Sequence, residues 1–233
     1  MLKILLVDKL KNKRIIVFGT GRMCRKIIDE DRIVSLEKVA YFVDNDETKW
    51  NSHIYGKLIL SPFELQKENK SELFILIASM FYSEIKRQLE EMGFLDGLHF
   101  ERATAIPYIG TKYECPCCQG KFDVFLDFGI KKRKNVRCPK CLSLERHRLL
   151  WLFLKNETNI LVEKLSVLHI APEYCIERNL KGRKNIDYIS VDLTSPQAML
   201  KADITKMPFG DNTYDVFICS HVLEHVVEDI KAM

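Results

Sequence analysis

Two cysteine pairs restrict this chain more than any other feature. Cys115-Pro-Cys-Cys118 and Cys138-Pro-Lys-Cys141 place two C-x2-C turns on either side of the 19 residues 119–137. Two tight turns that present thiolates in pairs can surround one Zn²⁺ tetrahedrally, so the fold has to bring them together. Cys115, Cys118, Cys138 and Cys141 are the expected ligands, because Cys115 matches the spacing of the second pair. Cys117 is the alternative to a neighbour. Four unrelated buried thiols are the plainer reading. A redox role accounts for one pair but not for two together.

The bulk of the chain is ordinary. It has 233 residues, 47% apolar and 29% charged, with a net charge of +4, which fits one large or two small globular domains and names no partner. No run approaches the roughly 18 apolar residues of a membrane span. Met1–Val7 is too short for a signal-peptide core and no small-residue cleavage site follows. A cytoplasmic location is expected, where thiols stay reduced and the 8 cysteines serve as ligands or buried thiols.

Around the cysteines the chain alternates strand and helix signals, which indicates an α/β fold with parallel sheets. In residues 1–105, R-I-I-V-F (14–18), V-A-Y-F-V (39–43) and L-F-I-L-I-A (73–78) are the expected strands. Helices are expected over Arg22–Glu30, from Ser61-Pro62-Phe63-Glu64 onward, and over Tyr82–Met92. Ser61 can cap the second of these, with Glu64 bonding back to the cap. Residues 113–142 form the knuckle. From about residue 143, Leu144, His147, Leu150, Trp151 and Leu154 recur at helical spacing. V-L-H-I (167–170), Y-I-S-V (188–191) and V-F-I-C (216–219) then read as strands of a third part, 143–233.

Three groups of residues point to ligands. Gly19 and Gly21 lie between a strand and a helix, where glycine permits close approach to a phosphate; Asp44, ending the next strand, can hold ribose hydroxyls. Cys24 occupies the place of the third glycine of that fingerprint, so a nucleotide or nucleotide-sugar site and a non-binding Rossmann-like module both remain open. Lys131, Lys132, Arg133, Lys134, Arg137, Lys140, Arg146 and Arg148 can contact nucleic-acid phosphates or merely solvate a loop. No aromatic residue interleaves the run, which weakens a stacking model. In the third part His169, Ala171 and Glu173 surround the end of one strand, Asp192 ends the next, and Asp203-Ile204 follows. An acid ending a second strand suits a ribose diol, and an Asp in the following loop suits an adenine amine.

With those residues in place, D-I-T-K-M-P-F-G-D-N-T-Y-D-V-F-I-C-S-H-V-L-E-H-V (203–226) resembles the third- and fourth-strand region of class I S-adenosylmethionine-dependent methyltransferases of the type 11-like kind. C-P-K-C-L-S-L-E-R-H-R (138–148) is similar to a knuckle and helix that precede this domain in some bacterial methyltransferases. The resemblance implies S-adenosylmethionine as cofactor, with Asp192 on the ribose, Asp203 and Ile204 flanking the adenine, and Ser220 and His221 at the pocket border. It implies a seven-stranded sheet of order 3-2-1-4-5-7-6, of which this sequence reaches the fourth strand. A fragment of a longer protein is therefore expected. One departure stands out: the family's G-x-G-x-G loop is here H-I-A-P-E (169–173).

His221, Glu224 and His225 also spell H-x-x-E-H, a zinc-peptidase signature. His221 follows directly on a strand and only Glu228 is a downstream carboxylate, so the methyltransferase reading is preferred. The expected function is methyl transfer to an acceptor not identified by sequence. A module similar to residues 1–105 occurs in bacterial proteins that modify surface sugars, which points to a sugar or polysaccharide. The alternative is a non-enzymatic nucleic-acid-binding knuckle with an inert partial methyltransferase domain.

Overall fold

The structure, a computed structural model, describes residues 13–232; the Met1–Val7 run and Met233 lie outside the described residues. The chain divides into two compact units. One comprises Met1–Glu114 and Gly120–Asn135, the other Cys115–Gln119 and Val136–Met233.

The first unit is built on β1 (Arg14–Phe18), β2 (Val39–Val43), β3 (His53–Ile54), β4 (Lys57–Leu60), β5 (Leu73–Ile77) and β6 (Phe100–Arg102). Their order is β3-β4-β2-β1-β5-β6, and every pairing is parallel except β3 with β4. The apolar runs are continuous because both faces of the sheet are covered. Ile16, Phe18 and Ile75 face Tyr82, Ile85 and Leu89 of helix α2 (Tyr82–Glu91). Ile15, Val17 and Phe42 face Cys24 and Ile27. Those two residues belong to helix α1 (Arg22–Arg25), which widens into a π-turn over Lys26–Glu30.

Two local expectations change. The segment after Ser61 is a 3₁₀ helix, Pro62–Lys67; Ser61 Oγ does accept the Phe63 amide at 3.3 Å, but Glu64 turns to Lys67 instead of returning to the cap. The β3–β4 hairpin has no strong periodicity in sequence. Its two-residue turn, Tyr55-Gly56, has φ of +53° and +73°, as a type I′ turn needs.

Gly19 ends β1 at φ +104°, and a Cβ there would lie 2.7 Å from the Ala78 carbonyl oxygen. The glycine is thus demanded by the packing of the chain against the end of β5. Gly19→Ala should destabilise the first unit by about 2 kcal/mol, within the range for strained backbone positions. Chemical denaturation of the variant checks this, and an unchanged midpoint would refute it.

In sequence between the strands of the two sheets come β7 (Ile109–Glu114) with β8 (Lys121–Phe122), antiparallel, and β9 (Leu126–Phe128) with β10 (Arg133–Arg137). The second unit holds helix α3 (Glu145–Asn156), β11 (Leu165–Ile170), α4 (Tyr174–Leu180), β12 (Ile186–Asp192), β13 (Leu200–Lys201), β14 (Val216–Cys219) and α5 (Asp229–Ala232). Its strands are all parallel, in the order β13-β12-β11-β14. Leu168, Ile170 and Val191 form the buried centre, with Ala171, Ile204, Phe209 and Tyr214 packed against it. Among the described residues no helix is long and apolar enough to cross a membrane.

Candidate metal centre and cofactor site

The two C-x-x-C turns fold alike. Gln119 N donates to Cys115 O at 2.7 Å, and Leu142 N donates to Cys138 O at 3.0 Å. The residue after each second cysteine is left-handed, Gln119 at φ +58° and Leu142 at +60°. Each turn aims its two sulfurs the same way. The sulfurs of Cys115, Cys118, Cys138 and Cys141 lie within 4.8 Å of one another. Cys115 and Cys141 are 3.6 Å apart, Cys118 and Cys138 3.7 Å. Tetrahedral Zn–S bonds of about 2.3 Å put sulfurs about 3.8 Å apart, so the four thiols fit a zinc ion. Cys117 is not among them: its sulfur faces the His147 carbonyl oxygen at 3.8 Å.

Ser143 was invisible to the spacing rule. It is fully buried, its Oγ 3.3 Å from Cys115 Sγ and 3.2 Å from Cys141 Sγ. A hydroxyl so placed can donate to ligand sulfur and orient it. Its carbonyl accepts from Cys138 N at 2.9 Å and from Arg148 Nη1 at 2.8 Å. Arg148 also reaches Val136 O, Lys134 pairs with Asp127 at 2.6 Å, and Lys140 is buried. Arg148 and Lys140 are thus engaged within the fold, while the Lys134 side chain remains exposed.

The carboxyl ends of the second unit's strands gather the other expected residues. Asp192 closes β12. Its Oδ1 accepts from Ser195 N at 2.6 Å and Thr194 N at 2.7 Å, while Oδ2 accepts no hydrogen bond from the described residues. Asp203, in the loop after β13, is built the same way: Oδ1 accepts from Thr205 N and Oγ1, both at 2.8 Å. Those bonds hold the Asp203 carboxyl below its usual range. Ile204 packs beside Ala171 and Val191.

Ala171 has φ +46° where the family has glycine. The left-handed bend survives the substitution, held by Ala171 N donating to Val191 O at 2.8 Å. Such a bend costs a β-carbon about 1–2 kcal/mol, against about 0.5–1 kcal/mol of extra chain entropy for glycine. Ala171→Gly should therefore stabilise the protein, by up to about 1 kcal/mol. A thermal melt below that of the parent would contradict it.

His169 and Glu173 sit differently from a cofactor-contacting pair. His169 is fully buried, with Nδ1 2.9 Å from the Tyr188 hydroxyl and Nε2 3.1 Å from Glu173 Oε2. A carboxylate only accepts, so Nε2 carries a proton; in the neutral ring Tyr188 then donates to Nδ1. His147 Nδ1 accepts from Leu144 N at 3.3 Å, and its Nε2 is 3.9 Å from Glu173 Oε1. Burial pushes the Glu173 carboxyl up, but the His169 hydrogen bond and the two imidazoles leave it below its usual range.

Ser220 and His221 follow β14 at the strand end. His221 is left-handed, φ +55°, and exposed, with Nδ1 2.8 Å from Glu224 Oε1. The chain then makes a 3₁₀ turn, Leu223–His225, and the short α5. Val226 breaks off in an extended conformation between them. Among the described residues, only the four-cysteine cluster groups three or more potential ligands closely enough for a metal. The H-x-x-E-H string is thus a turn with an internal histidine–glutamate clamp.

In the first unit, Gly19, Gly21 and Asp44 line one cleft of about 530 Å³ at the carboxyl ends of β1, β2 and β5, together with Asn45, Lys49 and Phe81. A Cβ at Gly21 would meet nothing within 4 Å. Asp44 is already occupied: Thr20 N and Oγ1 and Lys49 Nζ approach Oδ2, and Asp46 N approaches Oδ1. Its carboxylate ties the loop after β1 to the loop after β2.

A parallel half-sheet of order 3-2-1-4, with an acid ending its second strand and a left-handed small residue after its first, is an α/β arrangement compatible with a class I methyltransferase. Residues 168–233 match the family described as a methyltransferase domain. Residues 11–96 match the family described as C2185-like, N-terminal. No curated protein matches the chain.

Proposed function

We propose that the second unit binds S-adenosylmethionine and serves methyl transfer. The observation that carries this is Asp192, whose Oδ1 is fixed by a turn while Oδ2 faces no protein donor among the described residues. A fixed carboxylate with one oxygen to spare suits a vicinal diol. Asp192 would hold the ribose, Asp203 and Ile204 the adenine, and the bend at Ala171 would admit the methionine part. Bound there, the cofactor supplies an electrophilic sulfonium methyl. The chain's own part is to position it and exclude water. Zinc in the four-cysteine cluster would be structural, since four thiolates leave no open coordination position.

The acceptor proposed is a hydroxyl of a sugar or polysaccharide. What supports it is the resemblance of residues 1–105 to modules of sugar-modifying proteins, together with the cleft at Gly19 and Gly21, sized for a small ligand. Calorimetry with S-adenosylmethionine and S-adenosylhomocysteine tests the cofactor, and saturation-transfer NMR with a panel of nucleotide sugars tests the cleft. Absence of heat with both cofactor forms would end the methyltransferase reading.

A further inference from the structure

The loop that would receive the cofactor's methionine part does not stand on its own. Ala171 pays for a left-handed bend without glycine's freedom, and such conformations persist only where surrounding structure holds them. Beside the Ala171 N to Val191 O bond, two contacts reach the loop's flanks from the cysteine knuckle and the helix after it. Asn179, on α4 directly after the loop, donates from one amide nitrogen to two carbonyls. One is Cys175 O in its own helix, at 2.7 Å. The other is Cys117 O at 2.9 Å, inside the first C-x2-C turn between two of the candidate zinc ligands. From the other side His147, on the helix that follows the last ligand, approaches Glu173 Oε1 at 3.9 Å, and Glu173 Oε2 is held by His169 at 3.1 Å. Glu173 both ends the loop and precedes α4. All these residues belong to the second unit.

We propose that zinc in the knuckle and the cofactor in the loop are thermodynamically linked through Asn179 and Glu173. These two act as positioning residues: the turn that the metal closes fixes α4 and the loop at both ends. The inference rests on the methyltransferase reading of the loop. Linkage is reciprocal, so a metal that favours the cofactor-binding conformation must itself be held more tightly when the cofactor is bound.

The test uses the full chain. Zinc affinity is measured at equilibrium by competition with a chromogenic chelator, with and without saturating S-adenosylhomocysteine, whose binding is measured separately by calorimetry. The nucleoside should raise the zinc affinity about five- to tenfold, the lower end of ordinary coupling between sites. In Asn179→Ala, and in Glu173→Gln, which keeps the side chain's shape, the ligand should still bind, more weakly, and the gain in zinc affinity should shrink to within about twofold. A merely structural role would weaken binding yet leave that gain intact. Binding in the parent chain without any change in zinc affinity overturns the linkage and spares the methyltransferase reading. If no binding occurs, that reading fails, and amide exchange decides the rest. Extraction of zinc should speed exchange over Ala171–Leu180 about tenfold or more while β1 and β5 of the first unit keep their protection. Unchanged exchange there overturns the proposal.

Discussion

Replacing Cys138 by serine should strip the chain of zinc. Freshly purified parent protein should carry about one Zn²⁺ per chain, as a closed four-thiolate site holds one ion. The variant should carry almost none. Its three remaining sulfurs still converge, but a serine hydroxyl does not ionise at neutral pH and makes a poor zinc ligand. The effect is large because binding energy at such sites is folding energy, of order 10 kcal/mol for small zinc domains. Without the metal each turn keeps only its backbone bonds and a few neighbouring contacts. Gln119 and Leu142 sit in left-handed conformations, and the buried Ser143 hydroxyl is directed at sulfur. The core of the second unit around Leu168, Ile170 and Val191 is made of other residues, so its sheet should survive as a less stable unit. The first unit should melt as before. Cys117→Ser is the contrast: its sulfur faces a carbonyl oxygen, and the variant should keep its metal. Elemental analysis of the two variants side by side decides the ligand set. Full zinc in Cys138→Ser, or loss of zinc in Cys117→Ser alone, contradicts the assignment.

The approach of Cys115, Cys118, Cys138 and Cys141 was legible in the sequence because spacing carries it. A C-x2-C turn can point only its first and fourth residues at one ion, and Cys117 falls between. The strands were readable for a different reason. β1, β5 and β11 are buried on both faces, so their apolar runs are continuous and contrast with the polar segments around them. β13 offers no such signal: Leu200 and Lys201 are both exposed, and only pairing with Val191 and Asp192 makes them a strand. Ser143 and Asn179 were the least visible. They act through contacts to sulfur and to backbone carbonyls that depend on tertiary approach, and no periodicity or spacing marks them. Asp44 shows the opposite failure. Its place after a second strand is that of a ribose ligand, yet Thr20, Asp46 and Lys49 already approach its oxygens. Asp192 occupies the equivalent place in the second unit, and among the described residues no donor reaches its Oδ2. Two acids with the same sequence signature are separated by what their neighbours donate.

Removing the Asp192 carboxylate should cost cofactor affinity about ten- to a hundredfold. A hydrogen bond to a charged group contributes about 1.5–3 kcal/mol, and each 1.4 kcal/mol is a factor of about ten in affinity. Asp192→Ala alone does not isolate that term. The same side chain fixes the turn after β12 through Thr194 N and Ser195 N, so alanine loosens the loop as well. Asp192→Asn separates the two roles. Its amide oxygen can keep the turn, while an NH₂ group replaces the oxygen that would accept from the ribose. Asparagine should therefore retain the parent's thermal stability and still lose most of the affinity. Alanine should lose both, with a stability cost of about 1 kcal/mol for the turn. Calorimetric titration of S-adenosylhomocysteine into the parent and both variants, with melting curves on the same samples, reads the two effects independently. If asparagine binds as tightly as aspartate, the free oxygen is not the ribose ligand, and the cofactor's place at the end of β12 has to be abandoned.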